Sequence, residues 1–398
     1  MIDRLRDTLR DFFRKGDLVL LALCLIASVF GLLLIYSATR SAVYYEPSLI
    51  GCTKKQALFL CMGVVLYMVF TMVDIELILE KSWKFLVLAG VVLILMLIPF
   101  GVEGDTGNRS WMFLPGLPFG IQPAELVKIP FILVMARILD QNREHGISRP
   151  SSVFLLVGYT LFFAGLIAVI SEDYGMVLVY LLLFVLMAWS AGVAMRWFAM
   201  GGVLVAAAFG VIAYLANTSE RFMAKFGYII RRFTEAYTRS DPQGTGWQQN
   251  RSLLAIGSGQ LTGQGYLKGN LTQSIYETSL PARHTDEIFA VCAEEFGLIG
   301  CLAVLILLTA IFLRCLWVAK ASRSSLSAYI AAGFAGMLLI QTVINVAMCL
   351  YLFPVVGLTL PFFSYGGSSI LTLYACMGIV SGIKMRFLPA WLRDRSNL

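Results

Sequence analysis

The segment Pro281-Ala282-Arg283-His284-Thr285-Asp286-Glu287 runs without a break into Ile288-Phe289-Ala290-Val291-Cys292-Ala293-Glu294-Glu295-Phe296-Gly297. One histidine and four carboxylates therefore stand where a polar loop enters an apolar helix. Carboxylates at a hydrocarbon boundary are costly, so they point to chemistry or to a polar partner rather than to packing. At about 100° per residue, Glu287 and Glu294 share a helix face. Asp286 falls at or before the helix start, where a carboxylate can also be no more than a cap.

Four other polar groups accompany this cluster. Gly107-Asn108-Arg109-Ser110-Trp111 precedes Gln122-Pro123-Ala124-Glu125-Leu126-Val127-Lys128. Pro123 suits a first helical turn. Glu125 and Lys128, spaced i,i+3, can neutralise each other, either as a staple between helices or as groups facing a substrate. Ser171-Glu172-Asp173-Tyr174-Gly175 is a very short turn whose carboxylates read most simply as solvated. Residues 221–239 interleave Arg221, Lys225, Arg231, Arg232 and Arg239 with aromatic and aliphatic side chains, as in a helix lying in a membrane interface. Simple anchoring to anionic lipid explains that pattern equally. The glycines that follow, from Gly244 to Gly269, read as a flexible loop with exposed amides, because their spacing matches no dinucleotide fingerprint. Finally, Asn345 and the run Pro361-Phe362-Phe363-Ser364-Tyr365-Gly366-Gly367-Ser368-Ser369 suggest a re-entrant turn. Its helix N-terminus could receive an anion.

The elements that must position these groups are membrane helices. Of 398 residues, 59% are hydrophobic and only 14% charged, which excludes an ordinary soluble domain; no nucleic-acid partner is expected. About 20 apolar residues cross a bilayer core. That rule predicts ten spans, near 17–38, 55–73, 83–100, 123–139, 152–171, 174–192, 196–216, 288–316, 326–350 and 366–385. With both termini cytoplasmic, the inner segments hold eighteen Lys and Arg, against four in the short outer loops (Arg40, Lys54, Lys55 and Arg109). The expectation is one polytopic all-α membrane domain over 1–398. It has an amphipathic cytoplasmic stretch 1–16, a large extracytoplasmic loop 217–287 between spans seven and eight, and a cytoplasmic tail 386–398. No cleavable signal peptide is evident. The two histidines, His145 and His284, exclude a His-rich metal site. The eight cysteines form no CxxC pair and read as small buried hydrophobes.

At GNRSW, QPAELVK, WQQNRSLLAIGSGQLTGQGYLKGNLTQS, LPARHTDEIFAVCAEEFGLIG and LPFFSYGGSSI, the chain resembles the SEDS family (shape, elongation, division and sporulation) of RodA, FtsW and SpoVE. The motifs fall in family order along essentially the whole chain. The resemblance implies a glycosyltransferase of the bacterial cytoplasmic membrane, active on its extracytoplasmic side. It would polymerise glycan strands from the polyprenyl-linked disaccharide lipid II, with a class B penicillin-binding protein in a wall-elongation or division complex. It places the essential catalytic carboxylate on Asp286, as the base that takes the proton of the attacking hydroxyl. Arg109, Glu125, Lys128, Asp173, Arg231, Arg232, His284, Ser368 and Ser369 become candidates to bind lipid II or its pyrophosphate, with Glu287, Glu294 and Glu295 in support. The departing pyrophosphate would be met by cations such as Arg109, Lys128, Arg231 and Arg232 or by a divalent metal, Mg or Mn, the one cofactor in view.

Ala124 replaces the family's usual serine, Ser171-Glu172-Asp173-Tyr174-Gly175-Met176 keeps only the aspartate and glycine of its QPDLGT turn, and Glu287 replaces a phenylalanine. Glu287 adds a charge that could raise the apparent pKa of the pair it forms with Asp286. Short tails lean toward a RodA-like elongation role. Two rival readings are a transporter that flips lipid II and a non-catalytic scaffold. A flippase would need polar groups along the whole path, whereas these gather on the outer side.

Overall fold

A computed structural model describes residues 12–41, 46, 49–102, 108–114, 119–221, 223, 227, 230, 246–276 and 280–386. The helices are α1 (Leu18–Arg40), α2 (Cys52–Met72), α3 (Ile75–Leu95, continued by the turn Leu97–Phe100), α4 (Pro123–Arg143), α5 (Pro150–Ile170) and α6 (Tyr174–Ser190). They continue with α7 (Met195–Thr218), α8 (Trp247–Gly259), α9 (Ile288–Ala321), α10 (Ser325–Cys349) and α11 (Gly367–Met385). A two-residue hairpin pairs β1 (Gly101–Val102) with β2 (Trp111–Met112). Among the described residues, eight helices (α1, α2, α3, α5, α7, α9, α10 and α11) are long and apolar enough to cross a membrane, so the chain is a multi-pass membrane protein. The charged α4 and the shorter α6 lie among them, in two of the expected spans.

Two helix ends and the long loop differ most from the expectation. Helix α3 begins at Ile75 rather than 83, because Asp74 caps it through the Leu77 N–H and Glu76 accepts the hydroxyls of Ser324 and Ser327. Its charges Glu80, Lys81 and Lys84 mask this turn in a hydropathy count. Helix α9 runs five residues further, to Ala321. The long loop contains α8, a 13-residue helix that docks on the end of α10. There Gln249 donates to the carbonyls of Met348 (3.2 Å) and Phe353 (2.7 Å), and the Ser252 hydroxyl donates to the Cys349 carbonyl (2.9 Å).

The core is centred on α11, buried almost throughout and packed on α2. A Cβ at Gly378 would stand 2.6 Å from the Tyr67 carbonyl, so a residue without a side chain lets the two backbones meet. At the opposite end of the bundle from the re-entrant turn, the buried Asp17 caps α1 and accepts Arg314 (2.9 Å) and Lys384 (3.5 Å), tying α1, α9 and α11 together. Helix α7 buries none of its residues.

Helix α9 is interrupted at Gly297, whose φ of 64° and ψ of −160° leave the helical region. The interruption releases carbonyls before it and N–H groups after it. The glycine-rich segment takes both. Gln264 and Gly265 donate to the Glu294 and Glu295 carbonyls (2.9 and 3.0 Å), while Leu298 and Ile299 donate to those of Gln260 and Leu261 (2.9 and 3.2 Å). A Cβ at Gly263 would lie 2.2 Å from the Glu295 oxygen, so only a bare backbone fits. The expected flexible loop with exposed amides is therefore a fixed splice across a broken helix.

Candidate active site

A cavity of about 590 Å³ opens where the N-terminal ends of α2, α4, α6, α8, α9 and α11 converge. Its wall includes Asp286, Thr285 and His284 from the turns before α9, Glu125 from α4, and Asp173 from the start of α6. Six helix N-termini give the space a favourable potential for negative charge.

The segment 284–286 is pinned through its own carbonyls. His284 O accepts the Tyr365 N–H (2.9 Å), Thr285 O accepts the Ser364 hydroxyl (2.6 Å), and Asp286 O accepts the Asn345 amide (2.8 Å). Asn345 also donates to Leu358 O (2.7 Å), which ties the re-entrant turn to α10. The carboxyl side of Asp286 faces the cavity beside Gly357, whose φ of 70° and missing side chain leave room; a Cβ there would stand 3.8 Å from Asp286 Oδ2. The N-cap residue of α9 is Glu287, and its side chain makes no capping bond. Asp286 stands one residue outside the cap position, which weakens the cap reading raised by the sequence.

The other expected residues separate into those on the cavity and those behind it. Glu125 lines the space and meets buried Lys128 at 2.6 Å; the approach is a close charge contact rather than an aligned hydrogen bond. The pair lies within α4 and links no second helix; Glu125 is on the cavity wall, and Lys128 is its buried counter-ion. Asp173 is not solvated, as the short turn suggested. It is 8% exposed, caps α6 through the Met176 N–H (3.0 Å) and accepts the Gln122 amide (3.0 Å). Burial pushes its carboxyl up, against the bonds from Met176, Ser110 and Gln122 that lower it. Burial, with a smaller push from Arg283, lowers His284 to about 4, so its ring is neutral at neutral pH.

Ser368 and Ser369 do not line the cavity. Ser368 accepts the Gln122 N–H (3.3 Å) and Ser369 meets the Thr359 hydroxyl (3.2 Å), so both brace the wall. Arg109 is also absent from the lining; its N–H donates to Ser171 O (3.0 Å). Arg231 and Arg232 lie outside the described residues, as do most of 221–239, residues 1–11 of the amphipathic N-terminus and the tail beyond 386.

Glu294 and Glu295 sit behind the cavity. Glu294 accepts the Leu271 N–H (2.7 Å) and both the N–H and hydroxyl of Thr272 (2.8 and 2.6 Å). Arg283, 2% exposed, donates to the carbonyls of Leu271, Thr272 and Ser274. One carboxylate and one guanidinium thus clamp the same loop from both polarities and fix the chain just before His284. Glu295 accepts Ser37 (2.5 Å) and Gln273 (3.0 Å) and ties this loop to α1.

Sequence reasoning missed Lys55, Asn108 and Gln248 as wall residues. Lys55 was counted only as one of the outer charges. It is the one ammonium among the described residues that line the cavity, and its place near the start of an apolar helix was the available signal. Among the described residues, no three His, Cys, Asp or Glu side chains converge to hold a metal ion.

A family profile described as "Cell cycle protein", covering FtsW, RodA and SpoVE, matches residues 17–387. The chain is 32% identical over 383 residues to the "Probable peptidoglycan glycosyltransferase FtsW" of Trichlorobacter lovleyi, covering 95% of this chain and 96% of that one. It is 31% identical over 369 residues to the "Peptidoglycan glycosyltransferase MrdB" of Escherichia coli K12, covering 92% and 93%. A chain solved under the description "Structural coordination of polymerization and crosslinking by a peptidoglycan synthase complex" shares 26% identity at a TM-score of 0.71, covering 96% of this chain and 98% of that one.

Proposed function

The chain belongs to the FtsW, RodA and SpoVE family, and on that premise we propose that it is a peptidoglycan glycosyltransferase polymerising lipid-linked disaccharide at the cavity under Asp286. The observation that carries the reading is the cavity itself. It joins three carboxylates, Asp286 among them, one ammonium and six helix N-termini at one end of a membrane bundle. The positive-inside distribution supports an extracytoplasmic position for that end and for the segment 217–287. The ten helices α1–α7 and α9–α11 then serve as ten spans with cytoplasmic termini.

The reaction joins the 4-hydroxyl of one sugar to the anomeric carbon of a second, whose leaving group is polyprenyl pyrophosphate. Asp286 accepts the hydroxyl proton as the new C–O bond forms. The anomeric C–O bond to the pyrophosphate breaks, and its electron pair leaves with that group. Lys55 and the converging N-termini meet the charge that develops there. A single displacement inverts the anomeric centre and leaves no sugar bound to the protein. Neutral His284 beside Asp286 can take part in hydrogen bonding without adding a competing cation. The described residues offer no three-ligand metal set; a divalent ion accompanying the pyrophosphate would be held by the substrate and at most isolated carboxylates.

The partner, by analogy with the peptidoglycan synthase complex of the matching chain, is a crosslinking synthase of the class B penicillin-binding type. Depletion in the source bacterium separates the processes served, since loss of elongation rounds cells and loss of division leaves filaments. The test of the activity is purified protein supplied with lipid II. Wild type forms glycan strands, and Asp286→Ala, still folded, loses them; an Asp286→Ala protein polymerising at the wild-type rate overturns the assignment. In vesicles, transfer of lipid II between leaflets without polymer would establish the flippase reading instead.

A further inference from the structure

Glu287 is chemically out of place. Its side chain is fully buried, and its Oε2 has no hydrogen-bond partner. Burial pushes its carboxyl up, against the smaller lowering effect of Ser252, Cys349 and Gln248 beside it. The Ser252 hydroxyl beside it is directed to the Cys349 carbonyl (2.9 Å), and Cys349 Sγ points to Asp286 O (3.7 Å). A buried acceptor left without a donor is a stability liability. A phenylalanine or leucine of similar bulk would carry no such liability.

What Glu287 does hold is Gln248. Its Oε1 accepts the Gln248 Nε2 at 3.2 Å, and Gln248 lines the cavity alongside Asp286. A primary amide has a donor end and an acceptor end. With the Nε2 end engaged by Glu287 behind the wall, the Oε1 end remains for the cavity. Helix α8, which carries Gln248, is anchored independently by Gln249 and Ser252 on the end of α10. Glu287 therefore sets the rotation of one amide rather than the position of a helix.

We propose that Glu287 is a positioning residue that fixes the Gln248 amide with its carbonyl oxygen toward the cavity, as an acceptor for a hydroxyl or acetamido N–H of an amino-sugar substrate. The acceptor then stands on the same wall as Asp286 and orients the sugar that Asp286 deprotonates or the one it attacks. A Gln248 free to rotate would present its N–H₂ part of the time and lose that contact. This inference rests on the glycosyltransferase reading and sharpens the specificity of its site.

The experiment measures KM and kcat for lipid II polymerisation by full-length protein in detergent. The variants are Glu287→Leu, Glu287→Gln, Gln248→Leu, the double variant Glu287→Leu/Gln248→Leu, and Asp286→Ala. Glu287→Leu should raise KM roughly tenfold, about 1.4 kcal/mol, with a smaller change in kcat. Its unfolding midpoint should equal or exceed that of wild type, because the unpartnered acceptor is gone. Glu287→Gln, whose own Oε1 can still accept from Gln248, should return KM close to wild type. The double variant should be no worse than Gln248→Leu alone. An unchanged KM in Glu287→Leu, or effects of the two Leu variants that simply multiply, overturns the coupling. A lowered midpoint with kcat and KM both impaired, not restored by Glu287→Gln, assigns Glu287 a structural role only. If wild type itself makes no glycan, the reading of function fails. If wild type polymerises and Asp286→Ala does not, while Glu287→Leu keeps its KM, this inference alone fails.

Discussion

Replacing Glu294 tests whether the site is held from behind. Glu294 is fully buried and never touches the cavity, yet it accepts from Leu271 N, Thr272 N and Thr272 Oγ1 at 2.6–2.8 Å. Hydrogen bonds to a charged partner are worth roughly 1.5–3 kcal/mol each, and these share one loop, so Glu294→Ala should cost about 4–6 kcal/mol. Glu294→Gln keeps one oxygen for Thr272 but sets an N–H₂ against the Leu271 N–H, at a cost of about 1–3 kcal/mol. The carbonyls of the same loop hold Arg283, so activity should fall with stability although no wall residue has changed. The assay is the unfolding midpoint of the detergent-solubilised protein, followed by tryptophan fluorescence, beside the polymerisation rate. The reasoning is refuted if Glu294→Ala unfolds at the wild-type midpoint, or if Glu294→Gln is the more damaging variant.

Three further outcomes follow from the same geometry. Gly297→Ala forces a side chain into a backbone region that only glycine favours and sets its Cβ 2.4 Å from Gly263 N, so thermal unfolding should reveal a loss of at least about 2 kcal/mol. Lys128→Ala strands Glu125 in the core and should cost about 3–5 kcal/mol, whereas Glu125→Gln with Lys128→Met should recover much of the stability; a stable single variant would count against the buried pair. His284 titrates near 6.5 when unfolded but at about 4 when folded. Below pH 6.5 the unfolded chain binds the proton first, so stability present above that pH is lost as the pH falls toward 4. The total is about 3 kcal/mol, and His284→Asn should flatten this part of the pH–stability curve.

Membrane character, the approximate helix positions and the family were legible from the sequence because each depends on local patterns. Twenty apolar residues declare a span wherever they pack, and HTD, QPAELVK and YGGSS are short words. Asp286, Glu125 and His284 could be singled out for the same reason, since a titratable group at an apolar boundary is unusual by its address alone, whereas Asp173 looked solvated and stood out only through the family resemblance. Boundaries drifted where charge hid a helical turn, as at Glu76 in α3.

The division of labour among the polar residues was decided by tertiary structure. Glu294, Glu295, Ser368 and Ser369 look like site groups in one dimension, but their partners come from distant segments and turn them into braces. The glycine-rich stretch looks like a loose loop until the break at Gly297 supplies carbonyls and N–H groups for it to satisfy. Lys55 and Gln248 belong to α2 and α8, and only the convergence of helix ends brings them to one wall. Sequence thus determined which residue types lie near the membrane boundary, a matter of local burial and spacing. Which of them meet is a matter of long-range hydrogen bonds and close backbone contacts, and no pattern within a single segment encodes those.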